Sequence, residues 1–335
     1  MVIVMNPNQN TIKKRNYGGW IFLVIMVVVA ITILLNRYWI YDWYLGLGYA
    51  PTSEMVKIRD ELNLTDSGKF LFNATRPELN EAEEFNRNCR WNEIGENETA
   101  VLGCYADGNV YVYNVTAKEL DGILELTTAH ELLHAKWARM SESQKRELDS
   151  ALTKVFEENK EILESEIETY NASDRQEELY VRAGTEVKKL PENLEKHFAE
   201  VFKNQDLVVD FYDSYIAVFR ETEEKMEKLM GEMETLEKEI NDKTAEYERQ
   251  ANQLDADILS FNNCADTIGC FNSESEFYAA RGRLVGRQNE LDGLNYEINE
   301  MIDRYNEMVE EYNADVTRVN KLQDMINSNS AVEIK

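Results

Sequence analysis

Two runs of apolar residues dominate the C-terminal part of this chain and constrain its fold more than any other feature. Their spacing alternates between three and four positions, apart from three steps of seven. The first run comprises Met226, Leu229, Met233, Leu236, Ile240, Tyr247, Ala251 and Leu254. The second comprises Leu284, Leu291, Leu294, Ile298, Met301, Tyr305, Met308, Tyr312, Val319, Leu322 and Ile326. Such spacing predicts two helices that pack as an antiparallel coiled-coil hairpin over residues 206–327. The charge-rich remaining positions would also suit two separate solvated helices, or coils between different chains.

An uncharged apolar stretch at residues 17–35 is long enough to cross a bilayer as a helix. No small-residue cleavage site follows it, as one would in a signal peptide. The positive-inside rule predicts cytoplasmic residues 1–16, a transmembrane helix at 17–36 and an extracytoplasmic or cell-surface location for the rest. The rule rests here on Lys13, Lys14 and Arg15, and an aromatic belt for the outer interface follows at Tyr38, Trp39, Tyr41, Trp43 and Tyr44.

The chain is strongly acidic, with 63 acidic and 36 basic residues and a formal net charge of -27. A surface of that sign repels a polyanion, so nucleic acid is excluded as a partner. The four cysteines form two spaced pairs in the segment predicted to be exported. Because exported proteins keep disulfides, the sequence predicts the bridges Cys89–Cys104 and Cys264–Cys270.

Residues 50–205 predict a small α+β domain in which strands come first and helices follow. A short helix is expected from Ser53, a strand over residues 69–75, and a hairpin that turns at Asp107–Gly108. Helices are expected over residues 118–140, after Ser141 through a capping box with Gln144, over 175–187, and after Pro191.

The chemistry-bearing motif of this domain is His130-Glu131-Leu132-Leu133-His134. An α-helix turns every 3.6 residues, so the two imidazoles project from one face and can converge on one cation. Glu131 can then reach a water at the same cation and act as a general base. The chain has only 3 histidines, and apolar neighbours bury this helix, so its polar groups need a partner. The pattern predicts one Zn²⁺ per chain.

A hydrolytic zinc site needs a third protein ligand and one open position. The glycine and histidine that a metzincin carries three and six positions after the motif are replaced here by Trp137 and Met140. A glutamate from the helix about 45 residues downstream is the usual alternative. Glu178 is the first choice because an apolar turn follows it, and Glu186 is the second. Glu177 is expected to be solvated.

His197, the remaining histidine, leaves three interpretations open. It is a third zinc ligand, a hydrogen-bond donor that polarises a tetrahedral oxyanion, or a partly exposed helix residue.

With these motifs in place, residues 48–202 resemble gluzincin-type zincin metallopeptidases, and more closely membrane-anchored bacterial proteins of that type. The resemblance rests on "GYAP", "GCY", "AHELLHA" and the spaced series "ELY", "GTE" and "LP". It implies His130 and His134 as zinc ligands, Glu131 as the base, and Glu178 or Glu186 as the third ligand. One departure is that Arg182, not an aspartate, stands four residues after Glu178. The resemblance also implies that the strand upstream of the motif helix is an edge strand that pairs with extended substrate.

The sequence thus predicts a membrane-anchored zinc metallopeptidase that acts on a peptide or protein substrate. Its coiled coil would recruit a partner, hold a substrate or self-associate. The alternative is a non-catalytic cell-surface scaffold in which the coiled coil is the function and the zinc site is structural or vestigial. A structural site would tolerate Glu131→Gln, whereas a peptidase would keep its zinc and lose its chemistry.

Overall fold

A computed structural model gives the structure of this protein and describes residues 18–89, 101–168, 170–171 and 174–328. The chain divides into two compact units, one of residues 1–98, 103–114 and 124–209 and the other of 99–102, 115–123 and 210–335. The described residues are mostly helical, with one small three-stranded sheet. The α+β prediction for the first unit therefore overstates its strand content.

The first two helices of the described chain are α1 (Gly18–Leu35) and α2 (Arg37–Gly46), and both belong to the first unit. No one helix of the described chain has both the length and the apolar composition needed to cross a bilayer. Taken together, Trp20–Leu34 and Arg37–Gly46 do meet those two criteria, with a bend of 66° between them. The predicted cytoplasmic segment 1–16 and Tyr17 lie outside the described residues.

Helix α3 (Ser53–Glu61) begins where the sequence predicts, with the Thr52 side chain accepting a hydrogen bond from the Met55 amide. The strand predicted over residues 69–75 is wrong, because that segment lies in helix α4 (Asp66–Thr75). Its short aromatic run suits either structure, and the burial pattern resolves the ambiguity. The positions buried at helical spacing are Gly68, Leu71, Phe72 and Thr75.

The sheet contains β1 (Glu78–Asn80), β2 (Gly103–Ala106) and β3 (Asn109–Tyr113), with α5 (Ala82–Asn88) after β1. The predicted hairpin is confirmed: β2 pairs antiparallel with β3, and the turn residues Asp107 and Gly108 both have positive φ. Strand β1 pairs parallel with the other side of β3. The strand upstream of the motif helix is therefore central, and the prediction that it is an edge strand is wrong. The described edge on the hairpin side is β2.

Among the described residues, five helices follow the sheet in the first unit. Helix α6 (Ile123–Ala138) starts later than predicted, because a 3₁₀ turn at Lys118–Leu120 and Gly122, with φ of +90°, precede it. The capping box of Ser141 and Gln144 is confirmed at the start of α7 (Glu142–Glu158). The others are α8 (Lys160–Ile167), α9 (Arg175–Glu186) and α10 (Glu192–Phe198), the last directly after Pro191.

The second unit is built from α11 (Asp206–Ala265) and α12 (Glu274–Ile326), of which α11 begins in the first unit. Ion pairs join the two helices, and residues further along α11 pair with residues nearer the start of α12. The pairs are Lys225 with Glu311 and Asp315, Lys243 with Glu297, and Asp257 with Arg287. The two helices therefore lie side by side and antiparallel. Between these pairs the heptad positions meet in one apolar cluster of Leu229, Met233, Leu236, Ile240, Met301, Tyr305 and Met308.

Both predicted disulfides are present. Cys89, which follows α5, is bonded to Cys104 of β2. Cys264, near the end of α11, is bonded to Cys270 in the loop before α12.

Candidate metal centre

The candidate centre forms where α6 and α9 pack closely. A Cβ atom at Gly184 of α9 would lie only 2.5 Å from Cδ1 of Leu133 and 2.7 Å from Cε1 of Phe198. Leu133 and Phe198 are both fully buried. The glycine therefore permits a close approach of the two helices, which a larger residue would prevent. This approach faces the motif histidines of α6 toward the first turns of α9.

Three side chains converge there: His130, His134 and Glu178, whose candidate ligand atoms all lie within 4.8 Å of one another. The Nε2 atoms of the two histidines are 3.3 Å apart. From Glu178, Oε2 is 3.5 Å from Nε2 of His134, and Oε1 is 3.8 Å from Nε2 of His130. Glu178 is almost completely buried, while both imidazoles are about a fifth exposed at 23% and 21%.

This donor set fits a transition metal of the zinc type. Ligand atoms at about 2.0–2.1 Å from a tetrahedral cation are about 3.3 Å from each other, which matches the spacing of the two Nε2 atoms. Two imidazoles also disfavour Ca²⁺ and Mg²⁺, which prefer oxygen ligands. The side chains of His130 and His134 are not completely buried by the described residues.

Glu177 accepts a hydrogen bond from Nδ1 of His134 at 2.8 Å, with about a third of its side chain exposed. The prediction that Glu177 is solvated therefore missed its main contact. A metal-binding histidine commonly donates its second ring nitrogen to a carboxylate, which fixes the ring orientation and the tautomer. Two adjacent glutamates at the start of α9 were the sequence signal that could have predicted this contact. One of them can reach the candidate site while the other hydrogen-bonds to a histidine of that site.

Glu186, the second choice of third ligand, lies outside the group. It is buried and pairs with Nη1 of Arg182 at 3.0 Å. The same guanidinium donates from Nε to Oε1 of Glu178 at 2.6 Å. Arg182 therefore links the two carboxylates along one face of α9 and holds Glu178 by one oxygen, which leaves Oε2 directed at His134.

The electrostatics of the group place a proton on one histidine. Burial lowers the pKa of His130 to about 3, so this ring is neutral at physiological pH. Burial also opposes charge on His134, but hydrogen bonds to Glu177 and Glu178 outweigh it and raise the pKa of His134 to about 10. Burial likewise opposes charge on Glu178, yet the two histidines and Arg182 hold its pKa below the usual value. A cation bound here would replace the His134 proton.

Glu131 is buried beside the group, against β2. A Cβ atom at Gly103 would lie 2.8 Å from Oε1 of Glu131 and 2.6 Å from Cγ2 of Thr127. Only a glycine at this position of β2 leaves room for the carboxylate and the strand together. The side chain of Glu131, the predicted base, therefore extends from the motif helix toward β2, the described edge strand.

His197 is not part of the converging group. Its Nε2 atom lies 3.0 Å from the hydroxyl of Tyr180, and the rings of the two residues meet edge to face. Burial and the neighbouring Lys136 lower the pKa of His197. Of the three interpretations of His197, the geometry disfavours the first, in which His197 binds the metal together with His130 and His134.

No family model, no curated protein and no solved structure matches this chain. The class of the site is therefore defined by its own geometry, two imidazoles and one carboxylate that could hold a metal ion.

Proposed function

We propose that this protein is a membrane-anchored, zinc-dependent metallopeptidase in which His130, His134 and Glu178 bind the ion and Glu131 is the general base. The observation that carries the proposal is the convergence of three ligand atoms within 4.8 Å of one another. Beside them lies the buried Glu131, which is on the same helix as His130 and His134. A purely structural zinc site would more often use four protein ligands and would need no such glutamate.

Each residue of the centre has a separate role in the proposed reaction. Zn²⁺ bound by the three ligands would supply the Lewis acid that makes a water acidic near neutral pH and polarises the peptide carbonyl. Glu131 accepts a proton from the attacking water and later donates it to the leaving amine. Glu177 keeps Nδ1 of His134 protonated, so that Nε2 of His134 is the ligand atom. Arg182 holds Glu178 in place through Oε1.

The substrate would be a peptide in extended conformation. The outer edge of β2 has backbone groups that β3 does not use, and Gly103 of this strand lies against Glu131. An extended chain that pairs with β2 would bring its carbonyl groups to the base.

The membrane anchor and the coiled coil belong to the same proposal. The apolar side chains of α1 are exposed along the helix, as expected of a helix that lies in lipid. The antiparallel ion pairs and the apolar cluster of α11 and α12 support an intramolecular coiled-coil hairpin, which would hold a substrate, recruit a partner or self-associate.

The test uses the full-length chain, purified in detergent without chelator and compared with Glu131→Gln. Elemental analysis should find one zinc per chain in both proteins. A peptide library read by mass spectrometry should show cleavage by wild type and a loss of roughly a hundredfold or more in the variant, because the base is gone. Glu125→Gln is the matched control: Glu125 is another buried glutamate of α6, and its substitution should preserve cleavage.

Two results would contradict the proposal. If the chain binds no zinc on titration, the metal site does not exist. If the chain binds zinc but neither protein cleaves any peptide, the scaffold with a structural zinc site is the better account.

A further inference from the structure

Helix α2 presents an apolar face to the outside of its unit. Ile40, Trp43, Tyr44 and Leu47 follow the spacing i, i+3, i+4 and i+7, so they form one stripe, the outer stripe of α2. Their exposed fractions are 39%, 50%, 70% and 64%. A helix on the surface of a globular unit normally turns such a stripe inward, so this arrangement is inverted.

The inward face of α2 is fixed by polar and small residues. Asp42 is buried and receives two hydrogen bonds from Arg139, from Nε at 2.7 Å and from Nη2 at 2.8 Å. A Cβ atom at Gly46 would be 3.5 Å from Cβ of Asn73, so α2 lies directly on α4. These contacts make α2 an integral part of the first unit and prevent it from rotating to bury its outer stripe.

We infer that the outer stripe of α2 docks on the lipid–water interface, an inference that rests on the membrane anchoring in the proposed function. Tyr and Trp side chains favour the interface because one end of each is apolar and the other polar. In a chain of net charge -27, the only exposed charge on α2 is the cation of Arg37, which suits lipid phosphates. The only acid of α2, Asp42, is buried against Arg139.

The direction of α2 agrees with this occupant. One residue, Asn36, separates the end of α1 from the start of α2, and the two helices are bent by 66°. If α1 follows the bilayer normal, α2 is inclined far toward the membrane plane, as an interfacial helix is.

The Asp42–Arg139 pair also connects this surface to the candidate metal centre. Arg139 directly follows α6 and lies five residues after His134. Its Nη1 atom donates to the hydroxyl of Tyr105 in β2 at 2.9 Å and to the carbonyl of Ala135 at 2.8 Å. One guanidinium therefore ties the interfacial helix to the end of the motif helix and to the strand edge near Glu131. Docking of α2 fixes the orientation of the centre relative to the bilayer.

The experiment measures depth in the full-length chain reconstituted in phosphatidylcholine vesicles. The native cysteines are all in disulfides, so Val28→Cys, Tyr44→Cys and Glu147→Cys each provide one thiol for a nitroxide label. Collision with oxygen, which enriches in lipid, is compared with collision with a water-soluble nickel chelate. The oxygen-to-nickel ratio at Tyr44 should be several-fold above that at Glu147, an exposed site on α7, and below that at Val28 in α1.

Each other outcome has a distinct meaning. A lipid-like ratio at Val28 with a water-like ratio at Tyr44 overturns the inference and leaves the anchor intact. Water-like ratios at both positions overturn the membrane anchoring itself. Dipolar broadening at Tyr44 that disappears on dilution with unlabelled protein shows a second copy on the stripe, and this also overturns docking on lipid.

Discussion

At the scale of single residues, the candidate centre depends on the different contacts of three glutamates of α9. Glu177 and Glu178 are neighbours in sequence, yet one is about a third exposed and bonded to Nδ1 of His134 while the other is buried against both Nε2 atoms. Glu186, which is chemically identical, lies outside the converging group and pairs with Arg182. Position relative to α6, rather than residue type, separates the three roles.

We expect Glu177→Gln to weaken zinc binding by roughly 10–100-fold, the usual effect of losing a carboxylate that supports a histidine ligand. The amide cannot hold Nδ1 as strongly as the carboxylate does. Competition with a fluorescent zinc chelator at pH 7 measures the affinity. Glu195→Gln, an exposed glutamate on α10, serves as the control and should bind zinc like wild type. An unchanged affinity in Glu177→Gln would contradict the support role.

At the scale of elements, α3 and α6 meet through an acidic pair. Glu125 of α6 is buried, and Glu61 at the end of α3 is the neighbouring acid that acts on its carboxyl group. Burial, with help from Glu61, raises the pKa of Glu125 to about 7, from the ordinary glutamate value of 4.5 that we take for the unfolded chain. Between those two pH values the folded state keeps a proton that the unfolded state has released, so the contribution of Glu125 to stability falls as the pH rises.

The Glu125→Gln variant should therefore lose the part of the pH dependence that belongs to this pair. Thermal melting from pH 4.5 to 7.5 should show wild type losing stability relative to Glu125→Gln, with the difference growing up to about pH 7 and constant above it. The neutral amide mimics the protonated carboxyl at every pH. Glu147→Gln is the control for removing an exposed charge. Parallel curves for wild type and Glu125→Gln would show that Glu125 is ionised in the fold.

At the scale of the whole molecule, each unit carries one disulfide, and the two bridges close loops of different size. Cys89 and Cys104 are 15 residues apart, whereas Cys264 and Cys270 are only 6 apart. The larger loop restricts the unfolded chain more. Cys104 also follows Gly103, so the first bridge holds the strand that lies against Glu131.

Replacing both Cys89 and Cys104 by alanine should destabilise the first unit by about 3 kcal/mol, and replacing Cys264 and Cys270 should destabilise the second by about 2 kcal/mol. All five tryptophans occur at or before Trp137, so urea unfolding followed by tryptophan fluorescence reports the first unit. Only the first double variant should shift that transition. An equal shift from the second double variant would show that the two units unfold together.

Local chemistry was sufficient for much of the fold. The Asp107–Gly108 turn, the Ser141 capping box and the two disulfides were predictable because each depends on residues close in sequence. Helix α4 was not predictable in this way, since a short aromatic run fits a strand or a helix until its buried neighbours are known.

The sequence by itself determined that His130 and His134 share a helix face, because helical periodicity alone requires it. It also placed Glu131 on the same helix, one position after His130. It also determined the heptad pattern whose residues meet between α11 and α12. Only the tertiary structure decided that Glu178 joins the histidines while Glu186 does not. These glutamates are eight residues apart, about 12 Å along a helix, so the position of α9 against α6 selects one. The tertiary structure alone also turned the apolar stripe of α2 outward, because the buried Asp42–Arg139 pair joins residues 97 positions apart.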